Sequence, residues 1–382
     1  MNNIIYIGVN DRETDLFENQ YKVPNGVSYN SYLIKDEKTA IMDTVDSKKT
    51  AEWLENLAKA LDGKKPDYLV VSHLEPDHSG SIGEFMKAYP DTEIVGNAKT
   101  FAFLPQFCKL SADTKTLTVK EGDELNLGNH KLKFLMAPMI HWPEVMFTYE
   151  TTEKILFSAD GFGKFGDLNT NEEWLDEARR YYFNIVGKYG VQVQAVLKKL
   201  SDYEINAIYP LHGTILNENL GFYVDKYNTW SSYAPEEKGI FIAYASIHGN
   251  TAKTAKELAR ILSEKTDDKI TVADLSRSDI SECVANAFRY DRIILASSTY
   301  DGGIFPCMED FLMHLKAKNY QNRTAGIIEN GTWAPMSGKL IKAYLESMKN
   351  IKICQNTVTL RSSMNDDTSE SLEKLADEIV SA

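Results

Sequence analysis

The chain has 382 residues, 43% of them apolar and 25% charged, a balance that suits folded protein and a length that suits two or three domains. Its 55 acidic residues outweigh 42 basic ones to give a formal charge of -13, which opposes nucleic acid or anionic lipid as a partner. No apolar run reaches the roughly 18 residues of a membrane span, and no signal-peptide pattern is present, so a cytoplasmic location is expected.

The first part of the chain alternates short β-rich runs with helical patterns. IIYIGV, VSYNSYLI and TAIMDTV precede a helix over 48–61, and DYLVVSHL precedes a helix over 82–88. TEIVGN and a meander of LTVKEG, HKLKFLMAP, EVMFTYE and KILFSAD follow, then helices over 172–188 and 191–200 and the strand INAIYPLHG. Strands interleaved with helices, without strict βαβ repetition, suit a layered α/β sandwich. Residues 230–239 interrupt all periodicity and read as a linker, dividing the chain into domains 1–236 and 237–382. Beyond it GIFIAYAS, ITVADLS, RIILASST, TAGIIEN and ICQNTVTL each precede a helix, the pattern of a doubly wound parallel sheet. The four cysteines, Cys108, Cys283, Cys307 and Cys354, form no CxxC pair, so the chain holds no thiolate-bound iron and redox chemistry here needs an external donor.

The strand DYLVVSH runs into His73-Leu74-Glu75-Pro76-Asp77-His78, four potential ligands within six residues. Imidazole and carboxylate groups are ligands that iron, manganese and zinc accept, and a tight non-helical turn can aim alternate side chains at two neighbouring ions. The plain alternative is a polar loop in which Asp77 and Ser79 cap the next helix. Later strand ends carry His141, Asp160 and His212. Four of the seven histidines thus stand at strand ends beside carboxylates, whereas His130 in a turn and His314 on a helix read as ordinary positions. Gly161-Phe162-Gly163-Lys164-Phe165-Gly166 spells GxGxxG after a strand, but no helix opens within it, so no dinucleotide site is expected there.

The series His73-x-Glu75-x-Asp77-His78, His141, Asp160 and His212 resembles the flavodiiron (A-type flavoprotein) pattern, and the resemblance covers the whole chain. It implies a metallo-β-lactamase-like αββα sandwich followed by a flavodoxin-like doubly wound parallel sheet. Zinc hydrolases of the first fold usually have histidine where Glu75 stands; a carboxylate there is a harder ligand and suits a redox-active di-iron pair. The resemblance implies that His73, Glu75 and His141 hold one iron, that Asp77, His78 and His212 hold the other, and that Asp160 bridges them.

In the second domain, Ser246-Ile247-His248-Gly249-Asn250-Thr251 leads from a strand directly into a helix and offers hydroxyls and free N–H groups to an anion. It lacks the GK[ST] ending of a nucleotide P-loop, and a merely well-capped helix is the alternative. Two more strand-end loops bring Ser298, Thr299, Tyr300, Asp301, Gly302 and Gly303, and then Asn330, Gly331, Thr332 and Trp333. Their glycines permit close approach and Tyr300 and Trp333 offer flat surfaces, so the three loops resemble the FMN-binding loops of flavodoxins.

Reduced FMN and two ferrous irons together hold the four electrons that convert O2 to two waters, and two of these suffice to couple two NO into N2O. The expected protein is therefore a terminal reductase of O2 or NO. Domains of this size have radii of gyration near 18 and 14 Å, a separation that favours a partner subunit. The resemblance implies a head-to-tail homodimer or dimer of dimers, with a rubredoxin-like protein or a reduced deazaflavin as donor. A zinc-dependent hydrolase with an attached flavodoxin module, and an electron carrier or redox sensor with a purely structural metal site, are the rival readings.

Overall fold

The computed structural model describes residues 3–382, and the chain divides into two compact units. One runs to Tyr182 and adds Val191–Asn228; the other joins Phe183–Gly190 to Thr229–Ala382.

In the first unit a six-stranded sheet runs Ile4–Tyr6, Tyr32–Ile34, Ala40–Met42, Tyr68–Val70, Glu93–Asn97, Thr116–Val119 in spatial order. It begins antiparallel and becomes parallel from Ala40–Met42 onward. A five-stranded sheet runs Glu124–Asn126, Lys131–Met136, Met146–Glu150, Ile155–Phe157, Ala207–Tyr209. Alternate residues of the two sheets meet in one core, in which Ile34, Met42, Val70 and Val95 pack with Leu132, Phe134, Met146 and Phe157. Each such side chain contributes about 1.5–3 kcal/mol when fully buried. The helix Thr50–Leu61 turns Trp53, Leu57 and Leu61 inward and stops at Asp62, whose φ of 50° is left-handed.

The second unit is built on a parallel sheet ordered Lys269–Asp274, Glu237–Ala245, Tyr290–Tyr300, Arg323–Asn330, Ile351–Ile353. This is the 2-1-3-4-5 order of doubly wound folds, whose switch point lies between the first and third strands. Val358–Leu360 continues the fifth position beside Asn330. Among the described residues no helix is long and apolar enough to cross a membrane.

Several elements differ from expectation; VSYNSYLI and ICQNTVTL, for example, are each divided between two short strands. The stretch 172–188 is an α-helix only over Trp174–Tyr181, then a π-turn over Tyr182–Val186 and a 3-10 turn over Gly187–Tyr189. Past the break, Phe183 stacks on Phe288 at 4.2 Å and Asn184 donates to the Ser281 carbonyl, so side-chain partners override the helical period. A helix, Leu220–Ser231, occupies part of the supposed linker. Its apolar residues lie on both faces, with Tyr227 and Trp230 buried but Phe222 and Val224 over a third exposed, so no single stripe marks it. The segment after His73 is also a helical turn, Pro76–Ser79, with Pro76 at its first position.

Candidate metal centre and flavin cavity

The strand Tyr68–Val70 delivers His73, and the turn Pro76–Ser79 sends Asp77 and His78 in different directions from consecutive positions. Asp77 does not cap a helix, and the Ser79 hydroxyl donates to the Leu74 carbonyl at 2.6 Å. His141 follows the strand Lys131–Met136, Asp160 follows Ile155–Phe157 and His212 follows Ala207–Tyr209. All seven side chains converge in two groups, His73, Glu75, His141 and Asp160 in one and Asp77, His78 and His212 in the other, with donor atoms of each within 4.8 Å of one another.

In the first group Glu75 Oε2 lies 3.3 Å from His73 Nε2 and 3.0 Å from His141 Nε2. Asp160 Oδ2 lies 3.3 and 3.4 Å from the same two nitrogens. In the second, His78 Nε2 is 3.0 Å from His212 Nε2, and Asp77 Oδ2 is 3.3 and 3.2 Å from them. Asp160 Oδ1 approaches that pair at 3.3 and 3.6 Å, so each oxygen of one carboxylate faces a different group. Ligands around one ion at ~2.1 Å stand roughly 3.0–3.4 Å apart, the spacing found here.

Both oxygens of Asp77 and of Asp160 are buried without a hydrogen-bond donor, a costly arrangement that a cation would relieve. Two of the outer nitrogens are held as metal ligands require, while Nδ1 of His78 is buried without a hydrogen-bond partner among the described residues. Nδ1 of His212 pairs with the Ser28 carbonyl at 2.7 Å, and Nδ1 of His73 with Glu144 Oε1 at 2.8 Å, which leaves both Nε2 atoms to face the cluster. The residues present therefore fit two metal ions.

Burial lowers the pKa of His141, but the facing Asp160 and Glu75 carboxylates more than reverse this and push it up to about 9. His73 is also raised, against burial, by Asp160, Glu144 and Glu75, and His78 by Asp77 and Asp160. Burial would raise Asp160 and Glu75, yet the same histidines hold both well below the carboxylate range. In the metal-free chain at pH 7 His141 therefore holds a proton that a bound cation must displace. Adding ferrous iron to metal-free protein at pH 7 is expected to release about one proton or more per chain and to bind more weakly as the pH falls. Calorimetry in buffers of differing ionisation enthalpy measures this; metal uptake without proton release contradicts the placement.

A cavity of about 300 Å³ opens onto Glu75 and Asp77, lined also by Phe17, Glu18, Tyr29 and Lys48. Burial and the neighbouring Glu75 charge push the Glu18 carboxyl up to about 7. Glu18, Glu144 and the Ser28 carbonyl were not anticipated. Glu144 alone left a trace, as a carboxylate three positions after His141 in His141-Trp142-Pro143-Glu144.

In the second unit a cavity of about 530 Å³ lies at the switch point, within the size range of cofactor sites. Thirteen of the fifteen anticipated residues line it: Ser246, His248, Asn250, Thr251, Ser298, Thr299, Tyr300, Asp301, Gly302, Asn330, Gly331, Thr332 and Trp333. Gly249 and Gly303 do not. Gly249 shapes the loop instead, with φ 90° at the start of the helix Asn250–Lys265 and its N–H donating to Ser246 Oγ. Gly303 pairs with Tyr300 in a short strand. Ile247, Ala334, Met336 and Ser362 also line the cavity and were missed.

Thr251 Oγ1 lies 2.9 Å from Ser298 Oγ and accepts from Asn330 Nδ2 at 3.2 Å, so one hydroxyl ties the three loops together. A Cβ on Gly331 would stand 2.7 Å from Pro335, so only glycine fits that bend. Trp333, 89% exposed, and Tyr300 leave flat aromatic surface at the mouth. An anion cradle at a helix start below exposed aromatic planes fits FMN.

A two-sheet sandwich with paired histidine–carboxylate clusters, joined to a doubly wound sheet with a cofactor-sized cavity at its switch point, defines a metal- and flavin-binding protein of metallo-β-lactamase-like and flavodoxin-like parts. Residues 27–213 match the ODP family beta lactamase model, and residues 241–370 match the Flavodoxin domain model. The chain is 31% identical to the anaerobic nitric oxide reductase flavorubredoxin of Vibrio vulnificus, across 87% of this chain and 69% of that one. The Escherichia coli flavorubredoxin is 32% identical, covering 87% and 72%. Among solved structures, rubredoxin oxygen:oxidoreductase of Desulfovibrio gigas superposes with a TM-score of 0.92 at 26% identity, covering 100% of this chain and 97% of that one. A flavo di-iron protein variant from Thermotoga maritima gives 0.87 at 26% identity, covering 98% and 96%. The chain belongs to the flavodiiron protein family.

Proposed function

We propose that the protein is an oxidoreductase that reduces O2 to water, NO to N2O, or both, at a di-iron site fed by FMN. One observation carries the reading: two buried ligand groups share Asp160 in a chain that also holds a flavin-sized cavity. With both groups bound, reduced FMN and the ferrous pair supply four electrons to one O2 or two electrons to two NO.

The chain's own part is to bind and orient. His73, Glu75 and His141 take one ion, Asp77, His78 and His212 the other, and Asp160 spans both. Ser246, His248, Asn250 and Thr251 take the flavin phosphate end, with Gly249 bending their loop. Ser298 to Gly302 and Asn330 to Trp333 frame the ring, with Gly303 closing its loop against Tyr300, and the cavity beside Glu75 admits a small molecule. The linker reading puts the domain boundary at 236/237, eight residues beyond the point after Asn228 where the compact units divide. The functional form is a cytoplasmic head-to-tail homodimer or dimer of dimers, reduced by a rubredoxin-like protein or a deazaflavin. Glu75 favours iron over the zinc chemistry of hydrolases sharing the fold.

Purified protein is expected to contain two irons and one FMN per chain, and its reduced flavin to be reoxidised by O2 or NO faster than free FMN. Reduced rubredoxin serves as donor, and light scattering reports the oligomer. Two zincs per chain with esterase activity, or flavin reoxidation no faster than that of free FMN, overturns the reading.

A further inference from the structure

The two metal groups are held from outside by unlike partners. His212 leans on a neutral backbone carbonyl, that of Ser28, whereas His73 leans on the carboxylate of Glu144. Glu144 is 1% exposed, its Oε1 also accepts the Leu74 N–H at 3.0 Å, and its Oε2 is buried with no hydrogen-bond donor. Among the described residues the only cationic or imidazole partner of Glu144 is His73. The loop is fixed from behind, because Asn97 donates to the Glu144 carbonyl at 2.5 Å while capping the helix Ala98–Phe103. Trp142 stands edge-on to the His73 ring at 5.1 Å and flanks it.

A buried anion whose one ionisable partner is an imidazole polarises that imidazole far more than it polarises a backbone N–H. Hydrogen-bonded to Nδ1–H, the carboxylate makes His73 Nε2 a more basic, more anionic donor, while a carbonyl dipole does this only weakly for His212. An electron-rich ligand favours the higher oxidation state of the ion it holds.

We propose that Glu144 is a positioning residue that makes the two metal positions inequivalent, fixing the His73 tautomer and rendering the ion at His73, Glu75 and His141 the harder of the two to reduce. This rests on the di-iron reading above. Glu144→Gln tests it, since the amide oxygen can still accept from His73 and Leu74 but the charge is gone. Iron content, thermal melting and an EPR-monitored redox titration are compared with the wild type. The variant is expected to keep two irons. The lower of its two one-electron potentials should rise more than the upper one, and the comproportionation constant of the half-reduced pair should fall by about tenfold, or about 59 mV.

Should Glu144→Gln fail to load iron, Glu144→Asp, which keeps the charge, is expected to load it and keep the wild-type separation of potentials within about threefold in that constant. A folded, iron-loaded Glu144→Gln whose two potentials are unmoved or move together overturns the proposal, as does equal failure of both variants to load iron. Wild-type protein that binds no iron sinks the di-iron reading itself, whereas two irons in the wild type with an unmoved variant sinks this inference alone.

Discussion

Asp160→Ala protein is expected to purify with less than one iron per chain and to lose gas reduction while keeping its flavin. Asp160 is the one side chain whose two oxygens face opposite groups, at 3.3–3.4 Å from His73 and His141 and 3.3–3.6 Å from His78 and His212. Removing it takes a ligand from both ions and leaves the imidazoles without the charge that holds them together. Losing several kcal/mol of metal-centred stabilisation corresponds to a fall of about three orders of magnitude or more in turnover. Metal analysis and gas-electrode assays of the same preparation decide the matter. A variant with two irons and wild-type turnover removes Asp160 from the centre, and the bridged arrangement with it.

Thr251→Val should weaken FMN binding about 10- to 100-fold and weaken riboflavin binding distinctly less. The hydroxyl sits at the second residue of the helix Asn250–Lys265, buried where three loops meet. A hydrogen bond to a charged group contributes about 1.5–3 kcal/mol, and each 1.4 kcal/mol is tenfold in affinity. Valine keeps the shape but removes the contacts to Ser298 and Asn330 along with the phosphate contact, so both flavins lose the loop tie and only FMN also loses a charged hydrogen bond. Flavin-fluorescence titration of the apoprotein measures both ligands. Equal weakening of the two would mean that Thr251 supports the ring or the loop, and the phosphate assignment would fall.

How much of this was legible follows from what leaves a mark in sequence. His73, Asp160 and His212 stand just past short strands buried at nearly every position, where a polar side chain is conspicuous. His141 likewise follows a strand, five positions beyond Lys131–Met136. The doubly wound class of the second sheet was readable because each strand-like run was followed by a helical pattern. Partners that are backbone atoms were invisible: nothing about Ser28 announces that its carbonyl orients His212. Ser362 reaches the flavin cavity only because Val358–Leu360 pairs beside Asn330, a register that no local pattern encodes. The helix Leu220–Ser231 escaped because its aromatic residues do not form one stripe.

The ligands of a single group come from loops rooted in different sheets, His73 beyond the six-stranded one and His141 and Asp160 beyond the five-stranded one. An ion seated there acts as a clasp between the two leaves of the sandwich, at a margin beyond the apolar packing that joins their middles. Opening the clasp frees that margin and leaves the spine closed. On the di-iron reading, loss of metal would slacken the loops that carry the chemistry before it threatened the architecture.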